Sequence, residues 1–331
     1  MKAIVQDQYG STDALALRDV DRPTPRAGEV LVGVHAASVH MGDWHLMTGK
    51  PYLLRFIGFG LRAPKVKLRG MDVAGTVVAV GDGVMRFHVG DEVFGTGDGS
   101  FAEYAVAREA HLANKPASLS FAEAAAIPTS AVSALQALRD RGEVQPGQHV
   151  LLVGASGGVG LFAVQIAKAL GAQVTGVCST GKMDLVTRLG ADHVIDYTQE
   201  DFTKRGETYD LVLDLVGTHS LGQLRSVLRP RGTLVLAGGE GGNPWLGGIE
   251  RWVQALLLSP FVGQKLRPLS SVPRQADLQF LKQLIEAGKV APVIDRTYPL
   301  EETPEAIRYL RAGRAAGKII IAVSPPAVTA S

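Results

Sequence analysis

Seven residues constrain this chain more than any others: Gly154-Ala155-Ser156-Gly157-Gly158-Val159-Gly160. They follow the apolar run 149–153, which reads as a buried strand, and precede the apolar-rich stretch 161–170, which reads as a helix stopped by Gly171. Strand, glycine turn and helix in that order form a diphosphate site. Missing side chains let the backbone approach a pyrophosphate, and the helix N-terminus turns free N–H groups and a positive dipole end toward it. Ala155, Ser156, Gly157, Gly158 and Val159 are therefore expected to hold a dinucleotide. Strict G-x-G-x-x-G spacing is not met, because Ala155 stands in the first glycine slot, ahead of Gly157 and Gly160. Alanine is small enough to keep the turn.

The rest of the chain supports an α/β fold. Strand-like segments recur at 150–153, 173–178, 193–196, 211–215 and 233–237, with candidate helices at 161–170, 182–189 and 221–228. That alternation predicts a doubly wound parallel sheet of Rossmann type. A helix over 246–258 and a sixth strand at 265–269 extend it. Before about residue 126 the chain is rich in valine, glycine and short alternating runs, which predicts a compact antiparallel β domain; a helix is expected over 131–141. An amphipathic helix at 276–287, closed by Gly288, and strands at 293–294 and 318–323 rejoin that first domain. The expected division is 1–126, 127–271 and 272–331.

The second strand of the parallel sheet ends at Cys178 and is followed by Ser179-Thr180-Gly181-Lys182. An NAD site places Asp or Glu here to accept from the ribose hydroxyls. No acid stands there, and Asp184 falls later, in the expected helix. Ser179 can donate to a 2′-phosphate and Lys182 can neutralise it, which favours NADPH. The alternative reading of Lys182 is a solvated lysine in a helix's first turn. Gly238, after the fifth strand, lies where ligands gather in such sheets.

Bulk properties narrow the partners. With 331 residues the chain has room for about two domains. A formal charge of +2, with the Lys and Arg scattered, gives no footprint for nucleic acid. The longest apolar stretch, 252–262, holds Gln254, Ser259 and Pro260 and is too short to span a bilayer, so no membrane partner is expected. The start lacks the long apolar region of a signal peptide, and the tail 324–331 reads as frayed. One cysteine, Cys178, excludes an internal disulfide framework and suits a reducing, cytoplasmic compartment.

Several further segments resemble one family. The stretches 87–95 and Gly99-Ser100-Phe101-Ala102-Glu103-Tyr104 resemble the G-D-x-V and G-(S/A)-F-A-E-Y run of the medium-chain dehydrogenase/reductase superfamily. Residues 36–44 resemble the A-S-V-N-P-x-D-W segment of its zinc-independent quinone oxidoreductase branch, and 125–134 resemble that branch's domain crossover. Leu189-Gly190-Ala191-Asp192-His193-Val194-Ile195-Asp196-Tyr197 and Gly317-Lys318-Ile319-Ile320 also fit. The resemblance implies a GroES-like catalytic domain and a Rossmann domain. It implies NADPH-dependent reduction of small quinones or α,β-unsaturated carbonyls, often by a homodimer. It places Tyr197 near the cofactor and the backbone of Phe261, Val262 and Gly263 at its carboxamide; Lys318 is expected either to approach the cofactor or to be a solvated lysine.

The same resemblance bears on metal chemistry. Zinc alcohol dehydrogenases of this superfamily hold catalytic zinc with two cysteines and a histidine; the matching positions here are His40, Met71 and Thr129. A thioether and a hydroxyl are poor replacements for thiolates. A rearranged site using His40, Asp43, His45 or Asp72 is the alternative, and would make the protein a zinc alcohol dehydrogenase. A third alternative is an NADPH-binding protein without turnover. His40 replaces the branch's usual asparagine; its imidazole can donate to a substrate oxygen or relay a proton, or serve only for packing. Tyr52 is expected to hydrogen-bond a carbonyl or to wall the pocket, and Thr129 to face the nicotinamide. Asp43 and Asp72 are candidates for a general base, with Asp72 expected instead to fix backbone, and His35 and His45 are expected to be hydrogen-bonded structural groups.

Overall fold

The computed structural model describes residues 1–239 and 242–323; the tail 324–331, expected to fray, lies outside the described residues, as do residues 240–241. The chain forms two compact units. Among the described residues, one comprises Met1–Ser130, Pro273–Glu286 and residues 292–323; the other comprises Ala131–Val272 and Ala287–Ala291.

The first unit opens with an antiparallel pair, β1 (Lys2–Gln6) and β2 (Leu15–Asp19). The long β3 (Glu29–Val39) follows, then α1 (Met41–Thr48), β4 (Asp72–Val80), β5 (Glu92–Thr96), β6 (Tyr104–Arg108) and β7 (Leu112–Asn114). Strand β3 reads as nearly continuous apolar residues because it is paired on both sides. It meets β4 and β6 in antiparallel register, and β4 passes the ladder to β5 and β7. Helix α2 (Phe121–Ala125) starts with a capping box in which Ser120 and Glu123 accept from each other's backbone N–H. Helix α3 (Pro128–Leu135) then leads out of the unit and continues as a wider turn through Gln136–Arg141.

The second unit is the expected parallel sheet. Its elements are β8 (His149–Val153), α4 (Gly158–Ala169), β9 (Gln173–Cys178), α5 (Met183–Arg188), β10 (His193–Asp196), β11 (Tyr209–Asp214), α6 (Leu221–Ser226), β12 (Leu228–Leu236), α7 (Ile249–Leu258) and β13 (Lys265–Pro268). The strand order is β10-β9-β8-β11-β12-β13, all parallel, with the order reversing between β8 and β11. In open sheets of this kind a ligand binds outside the carboxyl ends of the strands, at that reversal. Leu151, Val153, Val177, Val212, Leu234 and Leu236 fill its core.

The chain returns to the first unit through α8 (Gln275–Glu286), β14 (Ile294–Pro299), α9 (Thr303–Arg311) and β15 (Lys318–Ala322). Strand β15 pairs with β14 and closes antiparallel against residues 36–39 of β3. Val32, Val34, Val73, Phe101, Ile319 and Ile321 share that unit's core. Helices α1 and α9 go beyond the elements expected from the sequence. Helix α1 has eight residues, carries Gly42 and shows no apolar stripe; α9 is short, has a proline in its first turn and buries only Thr303, Ala306 and Ile307. Among the described residues no helix is long and apolar enough to cross a membrane.

Candidate active site

The glycine turn takes the shape its sequence requires. Gly154 has φ +93°, a left-handed conformation that glycine adopts without strain. A Cβ on Gly160 would stand 2.2 Å from the Gly154 carbonyl oxygen, so α4 packs against the turn only because that side chain is absent. A Cβ on Gly157 would meet nothing closer than 3.5 Å, leaving open space where a diphosphate would approach. No side chain caps α4, and its first turn holds no acid. Its leading N–H groups are therefore available to an anion, as the turn's backbone demands. The alanine in the first glycine slot is accommodated from the neighbouring strand: a Cβ on Gly176 would fall 3.0 Å from that of Ala155.

The end of β9 forms a second corner. Ser179 begins a short turn through Thr180–Lys182 and makes no capping bond. Lys182 is close enough to act on the Cys178 thiol. Burial, reinforced by Asp196, pushes that thiol up to about 11, and the lysine charge opposes the shift. Asp196 is an acid that a search along one loop does not find. It is paired in register with Cys178 from the adjacent strand. Its carboxylate is already engaged: Thr180 donates its hydroxyl to one oxygen, and Thr198 donates its N–H (2.9 Å) and hydroxyl (2.7 Å) to the other. The Thr180 bond is the chief reason its pKa lies below the usual carboxylate value. Tyr197 is anchored by its N–H to the Cys178 carbonyl at 3.1 Å, and its side chain stands 61% exposed beside this corner.

At the ends of β11 and β12 the backbone is again drawn close. Gly238 donates to the Asp214 carbonyl at 2.9 Å, and a Cβ there would come within 2.4 Å of Leu215. The fully buried Asp214 accepts from the N–H groups of Val216 and Gly217 and from Arg251 of α7 at 2.7 Å. One face of α7 packs Trp252, Ala255 and Leu258 on the core, while Val253, Leu256 and Leu257 are exposed.

One expected set of contact residues lies away from the glycine turn. Phe261, Val262 and Gly263 precede β13, and a Cβ on Gly263 would meet the carbonyl of Pro230, near the start of β12. They lie at the amino edge of a parallel sheet, a strand length away from the glycine turn at its carboxyl edge. The Phe261 ring is 85% exposed there. The segment that does sit beside Gly238 is 269–272. Leu269 donates to the Leu236 carbonyl at 2.9 Å. Val272 is clamped by the buried Gln136 amide, which donates to its carbonyl (2.7 Å) and accepts from its N–H (3.1 Å).

The candidate catalytic groups of the first unit converge on a buried polar cluster. Asp72, the first residue of β4, is wholly buried. It accepts from the Ser38 hydroxyl (2.7 Å), the Thr129 N–H (3.0 Å) and the Thr129 hydroxyl (2.5 Å). Asp72 thus fixes the first turn of α3, and the Thr129 hydroxyl proton is committed to it. Lys318 is no solvated lysine. It is 3% exposed and donates to the Ser130 hydroxyl (2.9 Å) and the Val39 carbonyl (3.4 Å), with Asp72 at 3.8 Å. Burial lowers its pKa against the pull of Asp72. Its buried ammonium holds Ser130 and Asp72 in place.

His40 stands at the N-terminus of α1. Its backbone N–H donates to Asp43 at 2.9 Å, and Nδ1 lies 3.7 Å from the same carboxylate. Nε2 is buried and has no hydrogen-bond partner. A Cβ on Gly42 would strike the ring at 2.8 Å, so glycine makes room for the imidazole. Asp43 is itself buried, which raises its pKa. Tyr52 is half-buried, with the Arg55 guanidinium 4.9 Å from its ring centre. His35 bonds Thr76 and stacks on Phe121, and His45 bonds the Lys50 carbonyl. Among the described residues no group of three or more His, Cys, Asp or Glu is placed to hold a metal ion.

Comparison with known proteins agrees with this architecture. Residues 26–117 match the alcohol dehydrogenase GroES-like domain, and residues 189–321 match the family described as zinc-binding dehydrogenase. The chain is 34% identical to the 2-methylene-furan-3-one reductase of Solanum lycopersicum, over 97% of this chain and 79% of that protein. It is 32% identical to the mitochondrial NAD(P)H oxidoreductase RTN4IP1 of Mus musculus, over 98% and 89%. The solved quinone oxidoreductase of Coxiella burnetii superposes with a TM-score of 0.83 at 29% identity, covering 98% of this chain and 99% of that one. With two such units, a glycine turn and relatives of this kind, the chain belongs to the quinone oxidoreductase type of the medium-chain dehydrogenase/reductase superfamily.

Proposed function

We propose that this NAD(P)H-type oxidoreductase prefers NADPH and passes hydride to a quinone or an α,β-unsaturated carbonyl without a metal. The observation that carries the cofactor preference is the corner after β9. Ser179 and Lys182 stand where a ribose-binding acid is usual, and the one acid alongside, Asp196, is taken up by Thr180 and Thr198. A 2′-phosphate finds a cation there, and the Asp196 carboxylate, its oxygens filled by hydroxyl and N–H donors, is not available to accept from a ribose hydroxyl. When bound, the reduced nicotinamide supplies the hydride.

The chain's own residues then have two tasks. The cradle of 154–160 and Gly238 holds the diphosphate backbone. His40 offers its unpartnered Nε2 to the acceptor's carbonyl oxygen, where negative charge collects as the conjugated carbon is reduced. The relatives named as a reductase of 2-methylene-furan-3-one and as a quinone oxidoreductase make both acceptor classes the first to test. Steady-state oxidation of NADPH and of NADH across quinones, enals and enones checks the reading. Turnover with NADPH well above NADH on a conjugated acceptor is expected. Turnover with saturated aldehydes only, or a preference for NADH, overturns it. Tight NADPH binding with no turnover on any acceptor would instead mark a binding protein. Light scattering tests the homodimer that the family resemblance implies.

A further inference from the structure

The basic residues are scattered along this chain, but the acids leave one long gap. Residues 44–71 hold Lys50, Arg55, Arg62, Lys65, Lys67 and Arg69 and no Asp or Glu. The other 28 Lys and Arg are outnumbered by all 32 acids, so a charge of +2 conceals a strongly cationic segment on a slightly acidic body. The same segment exposes apolar side chains: Phe56 66%, Ile57 60%, Leu61 57%, Val66 54% and Phe59 44%. Single exposed apolar residues are ordinary; four between positions 56 and 61 form a patch.

The base of this patch is fixed. The Tyr9 hydroxyl donates to the carbonyls of Phe59 (2.9 Å) and Gly60 (2.7 Å). Arg55 lies over the Tyr9 ring at 4.3 Å and donates to the Gly49 carbonyl at 2.9 Å. Phe56 and Ile57 lie exposed between these anchors, and Leu61, Arg62 and Lys65 lie exposed just beyond them. Lys67 is shared with Asp7 at 3.0 Å, whereas the exposed Arg62 and Lys65 make no ion pair among the described residues.

We propose that residues 56–66 dock the protein on an anionic lipid surface. Phe56, Ile57, Phe59 and Leu61 enter the acyl boundary, and Arg62 and Lys65 stay at the phosphate level. Long cationic stems suit that depth, and the apolar tip needs an apolar medium, which a nucleic acid backbone does not offer. A second copy of this chain is a poor occupant, because a two-fold contact would set one cationic segment against another. No spanning helix is required, so docking is compatible with the absence of an apolar stretch long enough to cross a bilayer.

The test is flotation of the full chain with vesicles of phosphatidylcholine alone, or with about 30 mol% phosphatidylserine. Binding to the anionic vesicles only, released by salt, is expected. Phe56→Ser with Ile57→Ser, and separately Arg62→Glu with Lys65→Glu, should each lower partitioning by about tenfold or more. Both pairs are exposed, and an unchanged unfolding midpoint checks that each variant is folded. No binding to anionic vesicles, equal binding to both vesicle types, or full binding by either variant overturns the proposal. So does light scattering in which Phe56→Ser with Ile57→Ser dissociates an oligomer, since the tip would then be an interface between copies.

Discussion

At the scale of residues, the site depends on which polar atoms are already engaged. Thr129 has spent its hydroxyl proton on Asp72, while His40 keeps Nε2 free. A hydrogen-bond donor is what a developing enolate or quinol oxygen needs, and an asparagine amide supplies one too. His40→Asn should therefore hold kcat within about threefold, and His40→Ala should lower it by about tenfold or more. A fall of about a hundredfold for His40→Asn, with cofactor affinity unchanged, would instead assign a proton relay. Lys182→Ala should raise KM for NADPH by about tenfold, the worth of one charge-assisted contact, and leave NADH nearly untouched. Equal effects on both cofactors would remove the phosphate contact. Asp43 gives a pH signature. Burial raises its folded pKa above the unfolded 3.8, so the native state holds more protons in the window between the two values. Its destabilising charge is fully present above the folded pKa and is relieved as pH falls through it toward 3.8. His40, Asp72, Lys318 and Arg69 all act on the same carboxyl. Asp43→Asn should thus gain stability over the wild type at neutral pH, and the gain should shrink in mild acid. Urea midpoints at both pH values measure the difference, and a gain that grows in acid would refute the assigned direction.

At the scale of elements, local pattern and long-range pairing divide what is legible in the sequence. The strands at 173–178 and 193–196 and the glycine turn are readable because buried parallel strands are short apolar runs between turn residues. Helix α4 starts at Gly158, three residues earlier than its apolar run suggests, because a glycine-rich first turn carries no hydrophobic signal. The placement of 261–263 away from the glycine turn has a topological reason. Sequence order alone does not say which edge of the sheet a loop occupies, and 261–263 and 269–272 flank the same four-residue strand, β13. Asp196 escapes a reading of the loop after β9 because it comes from the neighbouring strand, and Gln136 escapes because its partner Val272 is far away in sequence. The corrected placement makes a paired prediction. Phe261→Ala should leave cofactor KM unchanged. Gln136→Ala removes both bonds to Val272, so it should raise cofactor KM and cost about 2 kcal/mol of stability. Calorimetry and cofactor titration on the two variants decide between the edges, and a large effect of Phe261→Ala would return the carboxamide to residues 261–263.

At the scale of the whole molecule, each unit carries its own core, and each contributes a different kind of chemistry. The second unit holds a dinucleotide turn; the first holds a buried network of Asp72, Lys318, Thr129 and Ser130 beside His40. The family description speaks of zinc, so the donor set of this chain decides whether an ion could be held. Zinc alcohol dehydrogenases of the superfamily use three ligands, and the matching positions here are His40, Met71 and Thr129. The Thr129 hydroxyl serves Asp72, a thioether is a weak ligand for zinc, and Asp72 has both oxygens engaged by Ser38 and Thr129. Of the matching trio only the His40 imidazole is a strong ligand, and among the described residues no group of three or more His, Cys, Asp or Glu is placed to hold an ion. Stabilising an alkoxide would need such an ion, whereas a conjugated acceptor spreads its charge onto an oxygen that a hydrogen bond can meet. Dialysis against a chelator should therefore leave NADPH oxidation by a quinone or enone unchanged, and elemental analysis of the purified protein should find zinc well below one per chain. Stoichiometric zinc whose removal abolishes turnover would require the side chains around Asp72 to rearrange, and would move this chain from the reduction of conjugated acceptors to the oxidation of alcohols.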